Sequence, residues 1–237
     1  MATADIRREA IHIVNEVLRK LGLNTVNHLD STKYSSLLVD YLNDCIDEIS
    51  DFGDWQEMLR TQAVTAAASV GSYEIAVSGN LKNIVEIAWG DDPASLELRT
   101  VEDMRLLDRV RGFGTPRQWA IIGVSGVNPI FHVFPIPTSA AIAAQTSAGG
   151  VFDVLYYKKP SIITAVTANN SAIPAFPARM LVQGVYAKAL LQENGGEPSN
   201  EYQVTYTEYI RMRQEALNRF NADTGTDIYL VPTGFRY

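Results

Sequence analysis

The chain has 237 residues, of which 46% are hydrophobic and 20% charged, and its formal net charge is -7 at pH 7, which is the composition of an ordinary globular protein. No run approaches the ~18 consecutive apolar residues of a membrane span, and the first residues lack the apolar core of a signal peptide, so we expect a protein that stays in the cytoplasm and does not enter a membrane. An acidic chain gains little from counterion release, so specific binding of duplex DNA is not expected, whereas an acidic channel would let DNA slide without sticking.

Two amphipathic helices are predicted at the start of the chain. Apolar residues recur at spacings of three and four from Asp5 to Leu21, which indicates a first helix with one buried face. Ser31 or Thr32 can cap a second helix, whose apolar stripe extends over Leu37 to Trp55. Neither helix closes a core alone.

The pattern then changes to a period of two, which is typical of half-buried strands. Small residues dominate the segment 138–150, which predicts an exposed, Ala-rich hairpin tip or arm. The predicted strands include Leu81 to Trp89, Ser95 to Arg99, Gln118 to Ile122, Ile130 to Phe134 and Val151 to Lys158.

Helices return near the end of the chain, at Ala178 to Glu193 and Ser199 to Ala222. Two helix pairs that flank a β region predict an α+β fold, in which a four-helix bundle from both chain ends carries an inserted antiparallel β domain and an extended C-terminal tail. The predicted divisions are 1–59 for the first two helices, 60–172 for the β domain, 173–225 for the last two helices and 226–237 for the tail.

No catalytic, cofactor or metal site is predicted, and the chain is not expected to be an enzyme. His12, His28 and His132 have no Cys, Asp or Glu at the spacing of metal ligands, and His132 is expected at a surface or interface. Cys45 lies on the apolar stripe of the second helix, where a buried structural thiol is favoured over a nucleophile.

The second helix has an unusual acidic face. From Ser35 to Met58 the chain holds seven acids and neither Lys nor Arg, and like charges four residues apart cost roughly 0.2–0.5 kcal/mol per pair in an isolated helix. One interpretation is a solvated face, or one paired with arginines of the same chain; the other is an acidic channel or subunit face. The acids concerned are Asp40, Asp44, Asp47, Glu48 and Asp51, and the candidate arginines are Arg7, Arg8, Arg211 and Arg213.

Short motifs mark the junctions between the predicted elements. They are Asp54-Trp55 after the second helix, GTPRQW at 114–119, IFHVFPIP at 130–137, VLYYKKP at 154–160 and IPAFP at 173–177. In this order and spacing the chain resembles the head-to-tail adaptor, or connector, proteins of short-tailed phages, also called tail tubular protein A or gatekeeper. The resemblance covers nearly the whole chain.

The resemblance implies a structural protein of the virion at the head-tail junction, assembled in the host cytoplasm. Such adaptors form a homo-oligomeric ring, usually of twelve subunits, which binds the portal protein above and a tail nozzle or tail tube protein below, and DNA passes through it during ejection. Another tail-completion or host-contact module of the virion is the alternative. A small hydrolase is disfavoured, because no nucleophile, base and orienting group can be assembled from the sequence.

The last twelve residues are apolar and aromatic, unlike a solvated tail. The resemblance implies a terminal segment that docks on the portal or on a neighbouring subunit, with Arg236 placed to pair with an acidic portal surface. The alternative is that the segment folds back on the β domain of its own chain. The expected docking residues are Ile228, Tyr229, Leu230, Val231, Phe235, Arg236 and Tyr237.

Overall fold

The chain forms two compact units, which are described separately. One unit contains the chain up to Glu57 together with the chain from Pro160 onward and is helical, and the other is Met58–Lys159 and is mainly β. Residues 160–172, which we expected in the β domain, therefore lie with the helices. The computed structural model describes residues 7–77, 81–90, 94–110, 112–145 and 150–223.

Two helices begin the described chain, a β region that contains two short helices follows, and two long helices come last. The α-helices are α1 Ala10–Lys20, α2 Lys33–Phe52, α3 Val101–Arg109, α4 Ser139–Ala143, α5 Ala178–Glu193 and α6 Asn200–Asp223. The strands are β1 Leu59–Thr65, β2 Ser72–Glu74, β3 Leu81–Trp89, β4 Glu97–Leu98, β5 Phe113–Gly114, β6 Gln118–Ser125, β7 Asn128–Phe134, β8 Ile136–Pro137 and β9 Val151–Lys158.

A capping box defines the start of α2. The Thr32 side chain accepts a hydrogen bond from the amide of Ser35 at 2.9 Å, and the Ser35 hydroxyl accepts one from the amide of Thr32 at 3.1 Å. Two amides that the helix itself leaves unpaired are thus satisfied, which contributes about 1 kcal/mol to helix stability.

Helix α5 is the centre of the helical unit, since it contacts α1, α2 and α6. Its buried residues lie around most of its circumference, and they include the small residues Gly184, Ala187 and Ala189. A Cβ atom at Gly184 would lie 2.8 Å from Sγ of Cys45 on α2 and 2.9 Å from the ring of Tyr209 on α6. The absence of a side chain at Gly184 therefore lets three helices approach at one point.

The prediction of a four-helix bundle with an inserted antiparallel β domain is wrong. The described residues contain six α-helices, two of which belong to the β unit, and the sheets there include parallel pairs. In the helical unit α5 is a central helix on which the other three pack, not one of four equivalent helices. The spacing of apolar residues did not predict the central position of α5, because small residues form much of its buried surface.

Three sheets form the β unit. An antiparallel sheet has the order β1-β9-β3, a mixed sheet has the order β2-β7-β6-β4 with β4 parallel to β6, and β5 pairs in parallel with β8. Aromatic rings from the two larger sheets meet in the core: the ring centroids of Phe152 on β9 and Tyr73 on β2 are 4.9 Å apart, and those of Phe152 and Trp89 on β3 are 4.7 Å apart. Stacking of this kind stabilises the unit beyond the area that the rings bury.

In the described part of the Ala-rich segment, residues 138–145, the chain forms a short helix that is partly buried. Residues 139–143 form α4, which Thr138 caps by accepting a hydrogen bond from the amide of Ala141 at 3.1 Å. Ala141 is buried, and Ile142 packs on the aromatic core of the β unit. Small residues favoured a short helix here because alanine has the highest helix propensity.

Candidate functional site

Four exposed aspartates follow one face of α2 at spacings of four, three and four residues. This face is opposite the buried side of the helix, which includes Leu42, Cys45 and Ile49. We call these residues the acidic stripe: Asp40, Asp44, Asp47 and Asp51.

Of the arginines proposed as partners, Arg7 pairs with one of the seven acids between Ser35 and Met58, and the other three make different contacts. Arg7 lies 3.5 Å from Glu57, and Arg8 lies 2.9 Å from Glu16. On α6, Arg211 forms an ion pair with Glu215, and the guanidinium group of Arg213 lies 4.0 Å from the ring centroid of Phe52.

Glu48 is the half-buried member of the acidic face and has an intramolecular partner. Its Oε1 atom accepts a hydrogen bond from Nζ of Lys188 on α5 at 2.6 Å, and its Oε2 atom accepts one from the hydroxyl of Tyr209 on α6 at 3.4 Å. Lys188 also lies 3.9 Å from Asp44. A charged cluster thus joins α2, α5 and α6, and Glu48 belongs to it more than to an open channel face.

Burial and charge shift the pKa values of this cluster. Burial alone would lower the pKa of Lys188, but the hydrogen bond that Lys188 donates to Glu48 and the nearby Cys45 and Asp44 raise it above its ordinary value. Burial, together with the charge of Glu48, raises the pKa of Tyr209. Lys188 and Tyr209 therefore keep their protons well into the alkaline range.

Cys45 is fully buried, as predicted, and burial raises the pKa of its thiol to about 12. The thiolate is the nucleophilic form of cysteine. Cys45 therefore fills space between α2 and α5 and has no nucleophilic role.

A second charged feature is a cleft between the N-terminal end of α5 and the middle of α6. It is small, with a volume of about 80 Å³, and opens to solvent. We call it the arginine cleft; its lining includes Arg179, Arg211, Arg219, Glu215, Met180 and Met212. The lining holds three arginines and one glutamate, and Arg179 is also paired with Glu208 at its edge.

The β unit brings together a serine, a histidine and an aspartate that sequence analysis did not connect. Oγ of Ser72 lies 2.9 Å from Nδ1 of His132, and Nε2 of His132 lies 2.8 Å from Oδ1 of Asp108. His132 is only 8% exposed, so the prediction of a surface histidine is wrong. These residues are far apart in the sequence, and no spacing motif links them.

This arrangement ties elements together and is poorly suited to catalysis. In serine hydrolases the serine bonds Nε2 and the carboxylate bonds Nδ1, whereas His132 has the opposite order. Its ring also packs so closely on Gly71 that a Cβ atom there would lie 2.6 Å from Cε1. His132 therefore connects β2, β7 and α3, as a structural side chain does.

Within the described ranges, no three His, Cys, Asp or Glu side chains are grouped so that they could hold a metal ion. In those ranges, too, no helix has the length and apolar character that crossing a membrane requires.

The expected docking residues of the C-terminal tail lie outside the described residues. They are Ile228, Tyr229, Leu230, Val231, Phe235, Arg236 and Tyr237. Their role remains a prediction from the sequence.

Comparison with known families identifies the class of protein. A family model described as SU10 adaptor protein matches residues 4–233, and the chain therefore belongs to the SU10 adaptor protein family. The resemblance to phage head-to-tail adaptors is confirmed at this level, and the chain is a structural adaptor protein of a phage virion. Membership implies interaction with portal and tail proteins at the head-tail junction. No curated protein matches the chain.

Proposed function

We propose that the protein forms a ring between the portal and the tail, through which DNA passes during ejection. The observation that carries this proposal is the family match over residues 4–233. The ring is expected to contain twelve copies of the chain, with the portal protein on one side and a tail nozzle or tail tube protein on the other.

The charge of the chain supports a passive role toward DNA. The formal net charge of the chain is -7. An acidic protein repels phosphates, and binding that depends on counterion release is weak. DNA would therefore move through the ring without being held.

A hydrolase is the second candidate, because Ser72, His132 and Asp108 form a hydrogen-bonded series. The reversed order of the ring nitrogens and the close packing of His132 on Gly71 favour a structural role instead. We therefore propose a protein that acts through contacts and shape, without catalysis.

The C-terminal tail is proposed to attach the adaptor to the portal or to a neighbouring subunit. Residues 228–231 and 235–237 supply aromatic and aliphatic side chains. Tyr and Phe bury a large area while few rotors are immobilised, which suits an anchor.

Cryo-electron microscopy of the virion tests the proposed function. We expect a ring of this chain between the portal and the tail, with density that fits the helical and β units. Virions in which the chain lies in a host-contact fibre or elsewhere in the tail would overturn the proposal and favour the alternative virion module.

A further inference from the structure

The helical unit has two exposed surfaces of opposite charge. The acidic stripe lies on the face of α2 that is turned away from its buried side. Lys33, at the first position, is the only basic residue of α2. The rest of the helix therefore carries no cation beside the aspartates of the stripe.

The arginine cleft lies between α5 and α6, and α2 contributes no residue to its lining. Arg179 lies 3.4 Å from Glu208, and Arg211 pairs with Glu215. The Arg179 side chain is nevertheless 76% exposed, and that of Arg211 is 58% exposed. Exposed ion pairs of this kind are worth only about 0–1 kcal/mol, so both arginines can exchange these partners for a denser group of carboxylates.

The lining of the cleft also offers apolar contact. Met212 is half-buried and lies beside the three arginines, whereas Met180, at 2% exposed, belongs to the core of the unit. Methionine adapts its shape to an incoming surface, while arginine presents five donors to carboxylates. Aspartate side chains that project from a helix have the chemistry to bind arginines at the mouth of such a cleft.

Charge also decides how two copies of the chain can meet. A twofold contact between two acidic stripes would place like charges opposite each other, and a twofold contact between two clefts would do the same with arginines. Such juxtapositions cost several kcal/mol in an interface. A contact of the stripe with the cleft is head-to-tail, and repeated head-to-tail contacts produce a closed ring when the rotation permits.

We propose that the acidic stripe on α2 of each subunit docks in the arginine cleft of the next subunit and so builds the ring. The occupant of the cleft is a second copy of this chain. The inference rests on the proposed function, because a ring of identical subunits requires a head-to-tail contact, and it identifies the surfaces that form this contact.

Charge reversal tests the contact directly. A stripe variant carries Asp40→Lys and Asp47→Lys, and a cleft variant carries Arg179→Glu and Arg211→Glu. Each purified variant is added to DNA-filled heads that lack the adaptor, and the adaptor retained after gradient sedimentation is measured. We expect each variant alone to be retained about tenfold less than the unmodified chain, which corresponds to about 1.4 kcal/mol.

An equimolar mixture of the two variants provides the decisive result. The arginine cleft of the stripe variant meets the aspartates of the cleft variant, and the reversed cleft meets the reversed stripe. Alternating subunits therefore restore complementary charges at every contact of a ring with an even number of subunits. We expect retention to return to within about twofold of the unmodified chain, a difference of roughly 0.4 kcal/mol.

Matched controls separate local contact from net charge and folding. Glu102→Lys with Glu197→Lys changes the net charge as the stripe variant does, and Lys33→Glu with Arg105→Glu changes it as the cleft variant does. All of these positions are exposed, and both controls should attach normally. Circular dichroism should give the same helix signal for every variant.

Each other outcome has a defined meaning. If the mixture attaches no better than either variant alone, or if the single variants attach normally, the proposed contact is wrong while the adaptor function stands. If the cleft variant attaches normally but reduces binding of duplex DNA, the cleft binds phosphates and not a second copy. If the unmodified chain itself fails to attach to heads, the proposed function fails.

Discussion

The ammonium group of Lys188 on α5 lies 2.6 Å from the carboxylate of Glu48 on α2. The same carboxylate lies 3.4 Å from the hydroxyl of Tyr209 on α6. Helix α2 thus shares one charged group with α5 and α6, which follow it only after the β unit. Because the Lys188 side chain is 26% exposed and that of Glu48 is 40% exposed, the pair is only partly screened by water.

Replacing Glu48 with glutamine should destabilise the helical unit. The change keeps the shape of the side chain but removes the charge that faces Lys188, so a half-buried ammonium group loses its main partner. We expect the free energy of unfolding to fall by about 1–2 kcal/mol, as measured by urea titration with circular dichroism. Asp47→Asn, an exposed change on the same helix, should alter it by less than about 0.5 kcal/mol. Equal effects of the two changes would contradict this role of Glu48.

Alanine at Gly184 should also destabilise the unit, although alanine favours helices more than glycine does. The added methyl group would lie 2.8 Å from Sγ of Cys45 and 2.9 Å from the ring of Tyr209. We expect a loss of about 1–3 kcal/mol in thermal or urea unfolding, which exceeds the gain of about 1 kcal/mol in propensity.

The steric origin of that loss can be checked in two ways. Cys45→Ala removes the sulfur, so the double variant should lose less stability than the sum of the two single changes. Gly123→Ala is the control, because nothing lies within 4 Å of a Cβ atom there. Additive losses would show that Gly184 acts through another contact.

Ionisation of the Cys45 thiol in the unfolded chain should lower the free energy of unfolding as the pH rises above about 8.5. Burial raises the pKa of this thiol to about 12, whereas a thiol in the unfolded chain titrates near about 8.5. Between these values the unfolded chain releases the proton and the folded chain keeps it, so unfolding becomes easier by up to about 1.4 kcal/mol per pH unit. Below about 8.5 both states hold the proton, and this contribution to stability is complete.

Urea titrations between about pH 8 and pH 9 measure this dependence before most tyrosine and lysine side chains titrate in the unfolded chain. Cys45→Ala should flatten the fall in the free energy of unfolding over that interval, whatever its effect at neutral pH. A fall of equal steepness in both proteins would assign the dependence to other groups.

His132 should matter for the stability of the β unit and not for hydrolysis. His132→Ala removes the bonds to Ser72 and Asp108 and leaves a gap beside Gly71, so we expect a loss of about 1–3 kcal/mol in thermal unfolding. The purified protein should cleave p-nitrophenyl acetate no faster than its Ser72→Ala variant. Hydrolysis that disappears with Ser72→Ala would instead support the hydrolase alternative.

Removal of residues 226–237 should abolish attachment to DNA-filled heads and leave the fold intact. The helices α1, α2, α5 and α6 end before this segment, so the helix signal in circular dichroism should not change. Normal attachment of the truncated protein would exclude the docking role of the tail. Failure of the truncated protein to fold would favour a tail that packs on its own chain.

The sequence predicted local elements better than their packing. Strands β3 and β9 were predicted with the limits that they have, because β-branched and aromatic residues are concentrated in both. The central position of α5 was not predicted, because Gly184, Ala187 and Ala189 carry little apolar surface and become buried through close approach.

The candidate sites were harder to predict, because their residues meet only in three dimensions. The burial of Cys45 followed from its place on an apolar stripe. The hydrogen bonds of His132 could not be predicted from the sequence, since Ser72 and Asp108 reach it from a different strand and from a helix. Lys188 offered a usable signal: a lysine in the apolar stretch of α5 requires a carboxylate nearby, although the sequence does not say that the carboxylate belongs to Glu48.

The central position of α5 has a consequence for the order in which the chain folds during synthesis. Helices α1 and α2 leave the ribosome first, but the helix on which both pack is translated only after the whole of the β unit, Met58–Lys159. The β unit is continuous in the sequence and can fold as soon as it emerges, as domains generally do. The apolar faces of α1 and α2 therefore remain exposed, and accessible to chaperones, until the last third of the polypeptide has been synthesised.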